Sequence, residues 1–171
     1  MKAKALLKSI VVVASILGTT APAMAALINL PAIAFATRDP IGGGTSDHGE
    51  PVKGMLGNAG GVYFASVLFP SAGNVCAVHL VLRDFEVTAN VTARLLRKGF
   101  SVGAFALADP LVMASVSSLG GISTNFQRFT DNTIVAPTVV PAAFYFVELS
   151  VPADTLEVLG VQIDFRTTAC P

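Results

Sequence analysis

The sequence predicts an all-β fold, an antiparallel sandwich of about eight strands, and three observations predict it. Apolar and polar residues alternate with a period of two rather than 3.6. Clusters of turn-forming residues break the chain at intervals of about ten residues. Beyond residue 25, no stretch carries a convincing helical pattern of ten or more residues. Short strands at that spacing form a sandwich or a barrel. A membrane-spanning barrel carries aromatic girdles at both interfaces. This chain has no Trp and two Tyr, its eleven Phe are not paired at strand ends, and it closes on "RTTACP". The sandwich is therefore the expected form.

The first element, residues 1–25, reads as a signal peptide and not as part of the fold. "MKAKALLK" is a basic leader, "SIVVVASILG" an apolar stretch, and Ala23-Met24-Ala25 a small-x-small cleavage site, which places the cut before Ala26. The uninterrupted apolar run Ile10 to Leu17 is shorter than the roughly 20 residues that span a bilayer. Removing 25 residues from 171 leaves 146, the length of one domain with a real core. The cut also removes three lysines, so eight basic and eleven acidic residues remain, a net charge near −3. No transmembrane segment is expected in the exported chain.

Residues 26–52 read as an N-terminal extended segment and a glycine-rich loop, and residues 53–171 as the sandwich domain. The segment "ALINLPAIAFA" (26–36) is apolar and strand-prone, suited to completing its own sheet or a neighbour's edge. The strands then follow in order. "GVYFASVLF" and "LVMASVSSL" are two candidates, and "AVHLVLRDFEV" reads as a central strand with a wet end. "NVTARLLR" sets Val91, Ala93 and Leu95 against Thr92 and Arg94, and "STNFQRF" is a shorter candidate. "FYFVELSV" sets Tyr145, Val147, Leu149 and Val151 against Phe146, Glu148 and Ser150. "DTLEVLG" has the pattern of one helical turn, and "LGVQIDFR" alternates from Leu159 to Phe165.

Concentrated polarity occurs in one place, "ATRDPIGGGTSDHGEPV" (36–52). Asp47, His48 and Glu50, with Asp39 as a fourth, are the candidate ligands for a cation there. The stretch lacks the spacing of a zinc, calcium or P-loop motif. Ser46, Asp47 and His48 are neighbours in sequence, and neighbours on an extended backbone point apart, so they do not assemble a triad. The stretch reads as a surface loop without metal or catalytic role. His79, within "CAVHLVL", reads as a strand residue, and Asp84, Glu86 and Asp164 as acids on a wet sheet face. Arg94, Arg97 and Lys98 are the one basic cluster, too small for a nucleic-acid surface. Cys76 and Cys170 are the two cysteines, and in an exported chain a disulfide between them is the expected state.

"NVTARLLRKG" (90–99) and "YFVELSVPADTLEVLGVQIDF" (145–165) resemble the strands of a loose class of small secreted bacterial β-sandwich proteins of unknown function. The resemblance covers roughly half of the exported chain. It implies a jelly-roll-like sandwich that self-associates, and it implies no catalytic residues.

The expected function is that of an exported, non-enzymatic β-sandwich at the cell surface, in the extracellular matrix or in the periplasm. Its expected partner is a second copy of itself or a cell-surface molecule, with no cofactor and no nucleic acid. The alternative is a binding module that holds an apolar ligand or lipid inside the sandwich. A hydrolase built on Asp47, His48 or Glu50 is the third reading.

Overall fold

The structure is a computed structural model that describes residues 24–37, 46–47, 55–57, 61–84, 90–99, 110–118, 123–152 and 156–171. At 37, 46–47, 55–57, 84 and 156 it describes the backbone alone. The strands are β1 (Ala25–Pro31), β2 (Ala36–Thr37), β3 (Ser46–Asp47), β4 (Met55–Gly57), β5 (Gly61–Val67) and β6 (Asn74–Asp84). They continue with β7 (Thr92–Gly99), β8 (Leu111–Ser117), β9 (Gln127–Asp131), β10 (Ala143–Val151) and β11 (Leu156–Arg166). Among the described residues no helix is long and apolar enough to cross a membrane.

Eight of these strands are long, and they form two antiparallel four-stranded layers. The first sheet runs β1-β11-β6-β9, and the second β5-β10-β7-β8. Short β2 extends the second sheet beside β5, while β4 and β3 extend the first beside the start of β11. Counting only the long strands, the orders are 1-8-3-6 and 2-7-4-5. First pairs with last, second with seventh, third with sixth and fourth with fifth. The chain is one long ribbon folded at its middle and rolled, which is the jelly-roll topology.

Alternation builds the core. On β10 the residues Tyr145, Val147, Leu149 and Val151 are buried and their neighbours are not. Val91, Ala93 and Leu95 are buried around β7, with Thr92 and Arg94 between them less so. From the other sheet come Val78, Leu80, Leu82, Val158, Val161, Ile163 and Phe165, all at most 1% exposed. These side chains form one contiguous cluster between the sheets. Each large one contributes about 1.5–3 kcal/mol relative to exposure.

The segment 26–36 closes its own domain. β1 pairs with β11 from Ala25↔Arg166 to Pro31↔Gly160. Ala26, the expected first exported residue, is the second residue of this strand. A 3₁₀ turn, Ala32–Ala34, then carries the chain to the second sheet and turns Ala32 and Phe35 into the core. Residues before 53 thus supply strands to both sheets.

Three single-residue irregularities interrupt the alternation. On β11, Val158 pairs with Leu82 and Gly160 with Val81, so Leu159 is the extra residue and Val158 takes the inward place. On β8, Leu95 faces Ala114 and Leu96 faces Val112, so Met113 is extra and wholly buried. On β6, Asp164 pairs with Ala77 and Phe165 with Val75, leaving Cys76 without a partner on β11. Cys76 is bonded to Cys170, with Cα atoms 5.3 Å apart. "DTLEVLG" is corrected as well: Leu156 to Gly160 open β11 and are not helical. Each can hydrogen-bond across a sheet there, and Glu157 and Val158 pair with Leu56 and Met55 of β4.

The two tyrosines offer a paired test of the core. The Tyr145 hydroxyl accepts a hydrogen bond from the Val140 N–H at 2.6 Å and donates to the Val140 carbonyl at 3.3 Å. The Tyr63 hydroxyl, wholly buried, has no hydrogen-bond partner among the described residues. Tyr145→Phe is expected to cost about 1 kcal/mol, and Tyr63→Phe nothing or less than nothing. Urea denaturation of both variants checks this, and equal losses would show that Tyr63 is bonded after all.

Candidate functional site

The sequence candidates do not assemble into a catalytic centre among the described residues. Asp47 lies in β3, where only its backbone is described, and His48 and Glu50 lie outside the described residues. Asp84 is described as backbone and Glu86 not at all. Among the described residues no three His, Cys, Asp or Glu side chains cluster in a way that could hold a metal ion. Asp164 lies 3.7 Å from Arg166, so it serves a pair on its own strand.

What the fold does produce, among the described residues, is two mixed outer faces whose central rows differ in character. The first sheet's outer face sets a polar row between Leu27 on one side and Pro31 and Val81 on the other. Register places Asn29, Gln162, His79 and Thr130 in one row across all four strands. Gln162 Nε2 donates to Asn29 Oδ1 at 2.9 Å, and His79 Nδ1 is 2.9 Å from Thr130 Oγ1. At one end of this face Arg83 pairs with the buried carboxylate of Glu157 and lies over the Phe126 ring at 5.1 Å. The polar side chains of this row and this end are thus engaged with one another.

His79 is 8% exposed, and its burial holds the imidazole below its ordinary value of 6.5. The positive charge of Arg128 lowers it further, and Asp164 partly offsets both. The fold therefore prefers the neutral ring. That contribution is complete above 6.5 and is lost as pH falls through the folded-state value. Stability is expected to decline as pH drops below 6.5, with a shallower decline in His79→Gln. Equal slopes for the two proteins in a pH series of urea melts would remove His79 as the cause.

The second sheet's outer face carries an apolar patch around Phe146 and Leu96, bordered by polar residues. Phe146 faces Ser66 on one side and Leu96 on the other, and Leu96 faces Val112. One row away, Glu148 faces Phe64 and Arg94, and Arg94 faces Ser115. The Phe64 and Phe146 rings sit 5.9 Å apart, tilted by 55°. Leu96 is buried yet stands outside the core cluster, as an outward residue must. Exposure rises toward the rim, with Val112 at 39%, Phe144 at 57% and Leu68 at 87%. A groove of about 620 Å³ runs among Phe64, Phe146, Phe144, Leu68 and Lys98. It continues round Leu68 into a second of about 290 Å³ that Val140 and Pro141 help to line. Among the described residues one ion pair crosses the face, Arg94 to Glu148 at 3.5 Å.

Among the described residues of this face, Glu148 is the one acid and no histidine is present. The face offers apolar area, and monomeric proteins keep such contiguous patches small unless they serve contact. Sequence reasoning set Phe146, Glu148 and Ser150 on the face opposite the core, and that holds. It missed that Phe64, Leu96 and Val112, from three other strands, join Phe146 there. No protein-family model matches the chain, and no curated protein matches it, so the two faces themselves are the basis for a functional reading.

Proposed function

We propose that this is an exported, non-enzymatic β-sandwich of bacterial type that works outside the cytoplasm through its surfaces, as a structural or interaction component. The observation that carries the reading is the apolar patch of Phe64, Phe146, Leu96 and Val112 on the outer face of the second sheet. Apolar side chains cost about 25 cal/mol per Å² when left in water, so a face of this kind is retained for contact. The contiguous core supports a surface role over the lipid-holding alternative, because the inward side chains of both sheets occupy the space a ligand would need. The leader at residues 1–25 and the disulfide both suit an oxidising destination.

The test is recovery of the native protein from its own host. The expected result is a chain beginning at Ala26, found outside the cytoplasm, and free of stoichiometric lipid by mass spectrometry of the extracted sample. One lipid per chain would replace this reading with the ligand-binding one. An intact leader on cytoplasmic material would end it.

A further inference from the structure

We propose that the occupant of the second sheet's outer face is the same face of a second copy, related by a two-fold axis. The inference rests on the surface reading above and adds the partner and its geometry. An isologous contact requires a self-complementary patch, in which residue i meets j and j meets i. The Arg94–Glu148 pair supplies this. Both charges stand in one row across the face, 3.5 Å apart and partly exposed. A copy turned about an axis through that row sets its Glu148 beside Arg94 and its Arg94 beside Glu148. With that axis parallel to the strands and midway between the two charges, the same rotation lays Phe146 against the copy's Leu96 and Phe64 against its Ser115. A partner of uniform charge, such as an anionic surface or a basic chain, would match one of the two charges and repel the other.

The area also fits a second copy. Four strands spaced about 4.8 Å apart, over seven residues of about 3.3 Å each, give about 440 Å² of plan area per copy. The accessible surface of standing side chains is larger than the plan, and the smallest stable dimers bury about 600 Å² per partner. An interface at the small end of the range belongs among the weak, transient ones, and the expected dissociation constant is about 1–100 µM.

Charge reversal with mixing tests the geometry. Arg94→Glu makes the row wholly negative, and Glu148→Arg makes it wholly positive. Each variant alone is expected to be monomeric, its self-affinity lowered about 100-fold by facing like charges. Mixed together they are expected to form a heterodimer by sedimentation velocity, because each then faces the opposite charge. Repulsion confined within one chain is not relieved by mixing, so a heterodimer reports contact between chains. Arg94→Glu combined with Glu148→Arg in one chain is expected to restore the homodimer. Val112→Lys, at the face's far edge and away from the ion pair, gives a second reading if either reversal fails to fold: it too is expected to yield monomer. The proposal is overturned if the wild-type chain stays monomeric at about 100 µM, a hundred times the tight end of that range. It is overturned if folded variants fail to pair on mixing, or if Val112→Lys dimerises like wild type. Capture of wild-type monomer by neutral phosphatidylcholine vesicles would overturn the second-copy occupant while leaving the surface reading standing.

Discussion

Adding one methyl group at Gly160 is expected to cost the fold about 3 kcal/mol or more. Gly160 has φ +151°, a conformation that L side chains rarely adopt. A Cβ there would run into the Leu30 carbonyl oxygen and come within 3.0 Å of Pro31 Cα. Both obstacles are backbone of β1, so neither can swing aside as a side chain would. Relief requires β1 to leave β11, which gives up the pairing that seats Leu30 and Ile28 against the core. Gly99→Ala is the control, because a Cβ at that position meets nothing within 4 Å. Urea midpoints should separate the two variants clearly. Similar midpoints would mean that β1 is not held against Gly160 in solution.

Loss of the disulfide is expected to be the second large effect. Cys76 and Cys170 lie 94 positions apart in sequence. Freeing a loop of that length releases about 4–5 kcal/mol of entropy to the unfolded chain, before native strain is subtracted. The bond does not act alone. Asn74 Nδ2 donates to the Thr168 carbonyl at 2.9 Å, and Thr138 Oγ1 donates to Asn74 Oδ1 at 3.2 Å. Val75 N–H and Val139 N–H bond the Pro137 and Gly73 carbonyls. The C-terminal tail and residues 137–139 are thus tied to the start of β6 at one end of the sandwich. Cys76→Ala with Cys170→Ala is expected to melt about 10–15 °C lower than the parent. An unchanged melting temperature, with full reduction shown by mass, would make the bond incidental.

How much of this was legible in the sequence depends on the range of the interaction. Alternation is local, so the inward residues of β7 and β10 could be read directly from "NVTARLLR" and "FYFVELSV". The three extra residues were not legible, because a bulge is defined against its partner strand. Leu159 was read as inward for that reason, and Val158 holds the place instead. Cys76 was expected to bond Cys170, but the misfit with β11 that leaves it unpaired there appears only in the register. The apolar face shows the same limit. Phe64, Leu96, Val112 and Phe146 lie on four strands, and nothing local records that they meet in adjacent rows. The residues of the polar run at 36–52 are adjacent in sequence, whereas those of the patch are adjacent only in space.

The most direct measurement compares the two outer faces in the native setting. One chain carries Phe64→Ser, Phe146→Ser and Val112→Ser, and the other carries Asn29→Ala, Gln162→Ala and Arg128→Ala. Both are expressed in the native host, checked for a cooperative melt, and quantified in the extracellular or envelope-associated fraction where the wild-type chain resides. The expected result is that the first chain folds but is lost from that fraction, while the second is retained near the wild-type level. Retention of the first chain and loss of the second would contradict a function carried by the apolar face.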